Sequence, residues 1–240
     1  MALIEKDSAL RRVPKAIGTR VVLYLDGVRY SIEILDVAFH RVEATLKKIS
    51  DGKVESDDLG LNIVSAISDA WTVVDSAHRL RELIQQLPGL KKSTPEVQIF
   101  LRNTEKIENL RNFFQHFRTE INSFVERKMA LYGTLSWSCI NQESKLPESH
   151  TIVPGTFFHE IRAEGCVFDS HEGRFVDRII LCAGDERVDL AKIYDRVASF
   201  SNWFEKTVTG SWAGHETHGA DMHLLMALEP VRIETTNETK

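Results

Sequence analysis

Arg111, Asn112 and His116, in the run Arg111-Asn112-Phe113-Phe114-Gln115-His116, could together act on a phosphodiester without a metal. Arginine offers a fixed cation with a planar donor fork that matches phosphate, and histidine exchanges a proton near neutral pH. The apolar residues around them, Ile107, Leu110, Phe113, Phe114, Phe117, Ile121 and Phe124, recur at helical spacing and predict an amphipathic helix with these residues in the core. At about 100° per residue, His116 falls opposite that apolar arc, with Asn112, Thr119 and Ser123, and Arg111 lies about 140° from it. One straight helix therefore does not bring both groups to a single substrate atom. A second subunit across a two-fold axis, or a bent helix start, would complete the pair.

Two further constellations carry titratable groups. Trp71, Asp75, His78 and Glu82 recur at steps of four, three and four along the preceding helical segment, on the shoulder of its apolar face. There Asp75 could orient His78 and raise its basicity. The plainer alternative is a helix shoulder carrying an i,i+3 charge pair. The run His78-Arg79-Leu80-Arg81 adds local positive charge, useful for RNA and equally at home in the C-terminal half of a helix. The segment from His215 to His223 is dense in imidazole and carboxylate, which makes His215, His218 and His223 minor metal candidates. Its His-x-x-His spacing is not that of a helical zinc hydrolase, and Gly214 and Gly219 predict a loop. No metal or other cofactor is expected, and no Gly-rich phosphate loop or serine elbow occurs.

The elements that must hold these groups are legible from apolar periodicity. Val28, Ile32, Leu35, Phe39, Val42, Leu46 and Ile49 form one helical stripe that stops at Asp51-Gly52, with residues 21–25 a short extended piece before Gly27. A second helix starts near Ser56-Asp57-Asp58 and ends before Pro88-Gly89. Ser93-Thr94-Pro95-Glu96 opens a third, which bends near Asn103-Thr104-Glu105 into the helix bearing Arg111. From Gly133 the pattern turns to alternation, with strands expected at 134–140, 151–153, 155–158, 166–168 and 175–182. Asp189 then caps a last helix carrying Leu190, Ile193, Val197, Phe200, Phe204 and Val208.

The expected fold is α+β and predominantly α. A helical bundle over 1–132 is followed by a small antiparallel sheet and a helix over 133–227, packed on the bundle, and a flexible tail over 228–240.

Composition sets the outer bounds. The chain has 240 residues, 42% hydrophobic and 27% charged, with a formal net charge of −5. That balance suits a soluble globular protein and leaves any nucleic-acid site to a local basic patch. No run approaches the ~20 apolar residues of a membrane span, so no membrane partner is expected. The first residues lack the order of a secretion signal. Cys139, Cys166 and Cys182 lie far apart without a Cys-x-x-Cys pair, so reduced thiols in the cytoplasm are expected.

An arginine, a small polar residue and a histidine after a short spacer, in a helical domain, resemble the HEPN superfamily. The resemblance covers roughly residues 55–124 and rests on Arg111, Asn112 and His116. It implies a helical bundle that dimerises, with RNA as substrate and no metal. It further implies a ribonuclease in which Arg111 binds the scissile phosphate, His116 exchanges a proton and Asn112 orients the histidine or donates to phosphate. The setting would be stress response or defence; Asp75 and His78, read from their own helical spacing and not from the resemblance, are the candidate supporting residues. The family also has non-catalytic members, so a dimerisation or interaction protein on the same scaffold is the alternative. The part from Gly133 onward lies outside the resemblance.

Overall fold

Two long helices, α1 (Thr19–Ser50) and α2 (Ser56–Gln86), form the spine of the computed structural model, which describes residues 2–115, 121–122, 124–126, 130–141, 144–155, 167–169, 174–176 and 178–224. They run antiparallel: Tyr24 Oη donates to Gln86 Oε1 (3.3 Å) near one end, and Arg41 Nε meets Asp69 Oδ2 (3.1 Å) nearer the other. Leu25, Val28, Ile32, Leu35, Phe39, Val42 and Leu46 put α1 into the core. Alanines at 66, 70 and 77 let α2 approach closely.

The extended piece expected at 21–25 is instead the first part of α1. Gly27 lies inside the helix because Leu83 of α2 crosses there, and a Cβ at Gly27 would sit 3.0 Å from Leu83 Cδ1. The glycine serves helix–helix approach, not a helix end.

Helices α3 (Pro95–Asn103) and α4 (Glu105–Gln115) meet at an elbow on the fully buried Thr104. Its Oγ1 donates back to the Phe100 carbonyl at 2.7 Å, closing the last turn of α3. Ile107 and Leu110 are buried, as their spacing requires. The side chains of Phe113 and Phe114, and all of residues 116–120, lie outside the described part of the chain. Residues 121–122 and 124–126 are helical, with Phe124 buried. Ile121, expected in the core, is instead 44% exposed.

Among the described residues six strands follow: β1 (Thr134–Ile140), β2 (Pro147–Ile152), β3 (Val167–Asp169), β4 (Arg174–Val176), β5 (Ile179–Ala183) and β6 (Glu186–Asp189). Four of them make an antiparallel sheet in the order β2-β1-β5-β6, and β3 and β4 pair separately. The single strand expected at 175–182 is thus two. β6 was not expected, because Gly184-Asp185 forms a tight turn and its four residues run directly into a helix cap. Leu135, paired with both Ile152 and Leu181, turns one face of the sheet to the helices. Trp137 Nε1 donates to Ser50 Oγ (2.7 Å) and Trp71 Nε1 to the Tyr132 carbonyl (3.1 Å), so the sheet is tied to both spine helices.

Helix α5 (Leu190–Trp212) is capped by Asp189, whose Oδ1 accepts from Lys192 N at 3.1 Å. Phe200 stacks on Phe100 at 4.6 Å and Tyr194 on Phe39 at 4.4 Å. One hydrophobic core therefore runs through helices and sheet. The fold is α+β and predominantly α, with a helical bundle, a small antiparallel sheet and a C-terminal helix. No helix among the described residues is long and apolar enough to cross a membrane.

Candidate functional site on the seam between two helices

The sequence-derived groups Arg111, Asp75 and His78 come together on the seam where α4 packs antiparallel to α2. Arg111 Nε donates to Asp75 Oδ1 at 3.3 Å, joining residues 36 positions apart. This contact uses Nε and leaves aside the Nη edge, the fork with which a guanidinium grips an anion. Asp75 is half-exposed and Arg111 is largely covered. Asp75 was expected to orient His78. Its recorded partner is Arg111, because α4 crosses α2 where the carboxylate projects.

His78 is 5% exposed, and its Nδ1 is buried without a hydrogen-bond partner. The nearest carboxylate oxygen, Glu82 Oε2, lies 3.5 Å away. Burial lowers the affinity of this imidazole for a proton, and the Arg111 cation lowers it further, against the pull of Glu82 and Glu108. The result is a neutral ring beside a guanidinium.

Arg81 is also buried, so its share of the local positive charge in the 78–81 run is turned to the protein interior. Its guanidinium donates to the Leu101 carbonyl, to Thr104 Oγ1 (2.8 Å) and to Glu108 Oε2 (3.1 Å). It thereby pins the α3–α4 elbow to α2 and sets the path of α4. Of the four residues only Arg79 is exposed. Glu108, missed from the sequence, sits one turn before Arg111, a spacing that could have flagged it. Asn109 Nδ2 donates to Glu186 Oε1 (3.1 Å), holding α4 against β6. Asn112 is exposed, and His116 lies outside the described residues.

The histidine-rich segment is a strap across the chain's beginning. Thr217 bridges Pro14, Lys15 N donates to the Glu216 carbonyl (2.8 Å), and His218 N donates to the Val13 carbonyl (2.9 Å). Asp221 grips the buried Arg29 with both carboxylate oxygens (2.7 and 3.1 Å) and accepts from Tyr30 Oη (2.6 Å). His215, His218 and His223 are exposed, and they do not form a ligand cluster. Among the described residues, the one grouping with metal-ligand spacing is Cys139, Glu148 and His150.

No protein-family model, curated protein or solved structure matches this chain.

Proposed function

We propose that the protein is a HEPN-like, metal-independent endoribonuclease that works as a homodimer. The observation that carries this reading is the convergence of Arg111 with a buried, neutral His78 on the α2–α4 seam. In this reading the Nη edge of Arg111 binds the scissile phosphate and stabilises charge developing on its oxygens. His116 takes the proton of the ribose 2′-hydroxyl or protonates the leaving oxygen. The 2′ oxygen bonds to phosphorus as the bond to the 5′ oxygen breaks, giving a 2′,3′-cyclic phosphate and a free 5′-hydroxyl. Asn112 orients the histidine or donates to phosphate. Asp75 holds the Arg111 guanidinium in plane, and His78 keeps the floor of the site free of a competing cation.

A homodimer is supported by α1. That helix exposes a short apolar stripe, Leu23, Tyr30, Ile34 and Val37, which gives way to exposed His40, Arg41, Lys47 and Lys48 toward its C-terminal end. A contiguous exposed apolar patch rimmed by polar residues is the kind of surface that a second subunit covers. The stripe borders a groove of about 420 Å³ that reaches Arg79 and Glu82, next to His78. As part of the same reading, the protein acts in the cytoplasm, in stress response or defence.

The second reading, a non-catalytic interaction protein on this scaffold, is favoured by the ion pair itself. Asp75 and Arg111 link two helices, which is a sufficient structural role. End-labelled RNA incubated with the protein in chelator separates the two. Cleavage that falls about 10²–10⁴-fold in His116→Ala and Arg111→Ala, with unfolding midpoints unchanged, supports the ribonuclease. Intact RNA with the wild type leaves the scaffold reading.

A further inference from the structure

The geometry points to a transition-metal site on the β1–β2 hairpin, built from Cys139, His150 and Glu148 and suited to Zn²⁺. The three residues are distant from the α2–α4 seam in role and sequence, and the inference does not depend on the ribonuclease reading. Antiparallel register sets them side by side: Cys139 faces Glu148, and Trp137 faces His150 one pleat along. All are on the sheet face that carries Leu135 and Ile152. Side chains on one face of such a pair are close enough to share a ligand.

The distances fit a metal better than the alternatives. Cys139 Sγ lies 3.3 Å from His150 Nε2, and Nε2 lies 3.7 Å from Glu148 Oε2. Tetrahedral Zn²⁺, with its usual bond lengths, holds a sulfur and a nitrogen about 3.5 Å apart and a nitrogen and an oxygen about 3.3 Å apart. Each observed distance is within a few tenths of an ångström of that. A cysteine–histidine–acid triad would place the acid on the far ring nitrogen. Here thiol and carboxylate both face Nε2, so three donor atoms converge on one point.

The surroundings hold each donor in position. Asn141 Nδ2 donates to Glu148 Oε1 at 2.8 Å, which leaves Oε2 directed at the histidine. Trp137 stacks on the imidazole at 5.1 Å and 14°, fixing the plane of the ring. Trp137 is itself anchored by its hydrogen bond to Ser50. Such outer contacts are what preorganised metal sites carry. Thiolate with imidazole and carboxylate selects zinc over magnesium or calcium. On binding, the Cys139 proton leaves to solvent as the metal–sulfur bond forms. All three residues are half-buried, so a water molecule can reach the site and complete the tetrahedron.

The test uses the full chain, stripped with chelator and titrated with Co²⁺ and then Zn²⁺. The inference predicts one equivalent of Co²⁺ with a thiolate-to-metal charge-transfer band, displaced by Zn²⁺. The band persists in Cys182→Ser and in a His215/His218/His223 triple alanine variant, and disappears in Cys139→Ser. Affinity falls by at least about a hundredfold in Cys139→Ser and His150→Ala. Zn²⁺ raises the melting temperature of the wild type and not that of Cys139→Ser, whose metal-free melting temperature shows that it folds. No band in the wild type, a band that survives in Cys139→Ser, or one lost with Cys182 or the strap histidines would overturn it. RNA cleavage in chelator, if observed, is unaffected by Cys139→Ser, so the two readings fail independently.

Discussion

Arg81 sets the position of Arg111, so its removal tests how the seam is built. Arg81→Ala deletes donors to the Leu101 carbonyl, to Thr104 and to Glu108. The first two acceptors lie at the buried elbow, and each hydrogen bond from a charged donor contributes about 1.5–3 kcal/mol. Glu108 is half-exposed and regains water, so its share is about 0–1 kcal/mol. The total predicted destabilisation is about 3–7 kcal/mol, overlapping the roughly 3–5 kcal/mol for breaking a buried ion pair. Arg81→Met keeps the apolar stem and removes the cost of burying a cation, so a smaller loss of about 1–3 kcal/mol is expected. Urea unfolding followed by tryptophan fluorescence measures both, with the slope against denaturant as a check on two-state behaviour. A loss below about 1 kcal/mol in Arg81→Ala would show that packing alone fixes the elbow, and the reasoning would be wrong.

Three other outcomes follow from particular residues. Gly133 has φ of +74°, and a Cβ there would lie 2.2 Å from the Cys182 carbonyl oxygen. Gly133→Ala should therefore cost about 3 kcal/mol or more in thermal or urea unfolding, because that contact is with backbone that cannot swing away. His78 binds a proton less readily in the folded chain than when unfolded. Its contribution to stability is complete above its unfolded pKa of about 6.5 and is lost as pH falls toward the lower folded value. Unfolding free energies between about pH 7 and pH 5 should fall more steeply for the wild type than for His78→Leu. Arg29, Tyr30 and Arg11 hold the Asp221 carboxyl well below the ordinary carboxylate range. Asp221→Asn should release the strap, read as faster hydrogen exchange at the amides of Lys15 and His218 and faster proteolysis near residue 217. Unchanged exchange would mean that the backbone bridge at Pro14 suffices.

Periodicity revealed the helices because their apolar stripes are local in sequence. The α2 boundaries, the elbow at Thr104 and the Asp189 cap were all legible in this way. What the sequence hid was non-local. Arg81 reads as solvent-facing charge until α3 and α4 fold over it, and a stripe analysis of α2 alone does not contain that partner. Asp75 and Arg111 stood out individually, while their pairing depended on the path of α4. Gly27 resembled a helix boundary because its reason for being glycine, Leu83, lies 56 residues away. Cys139 and His150 seemed unrelated because β2 begins four residues before its expected start, and only the strand register brings them together.

The central claim concerns a site shared between two subunits, and a mixing experiment tests it most directly. Arg111→Ala and His116→Ala proteins are prepared separately, then denatured together, refolded and assayed for RNA cleavage in chelator. If each site takes Arg111 from one subunit and His116 from the other, a mixed dimer retains one intact site. Random reassortment then restores about a quarter of wild-type activity, although each variant alone is inactive. A mixture no more active than its components, or a wild type that leaves RNA intact, would contradict the account.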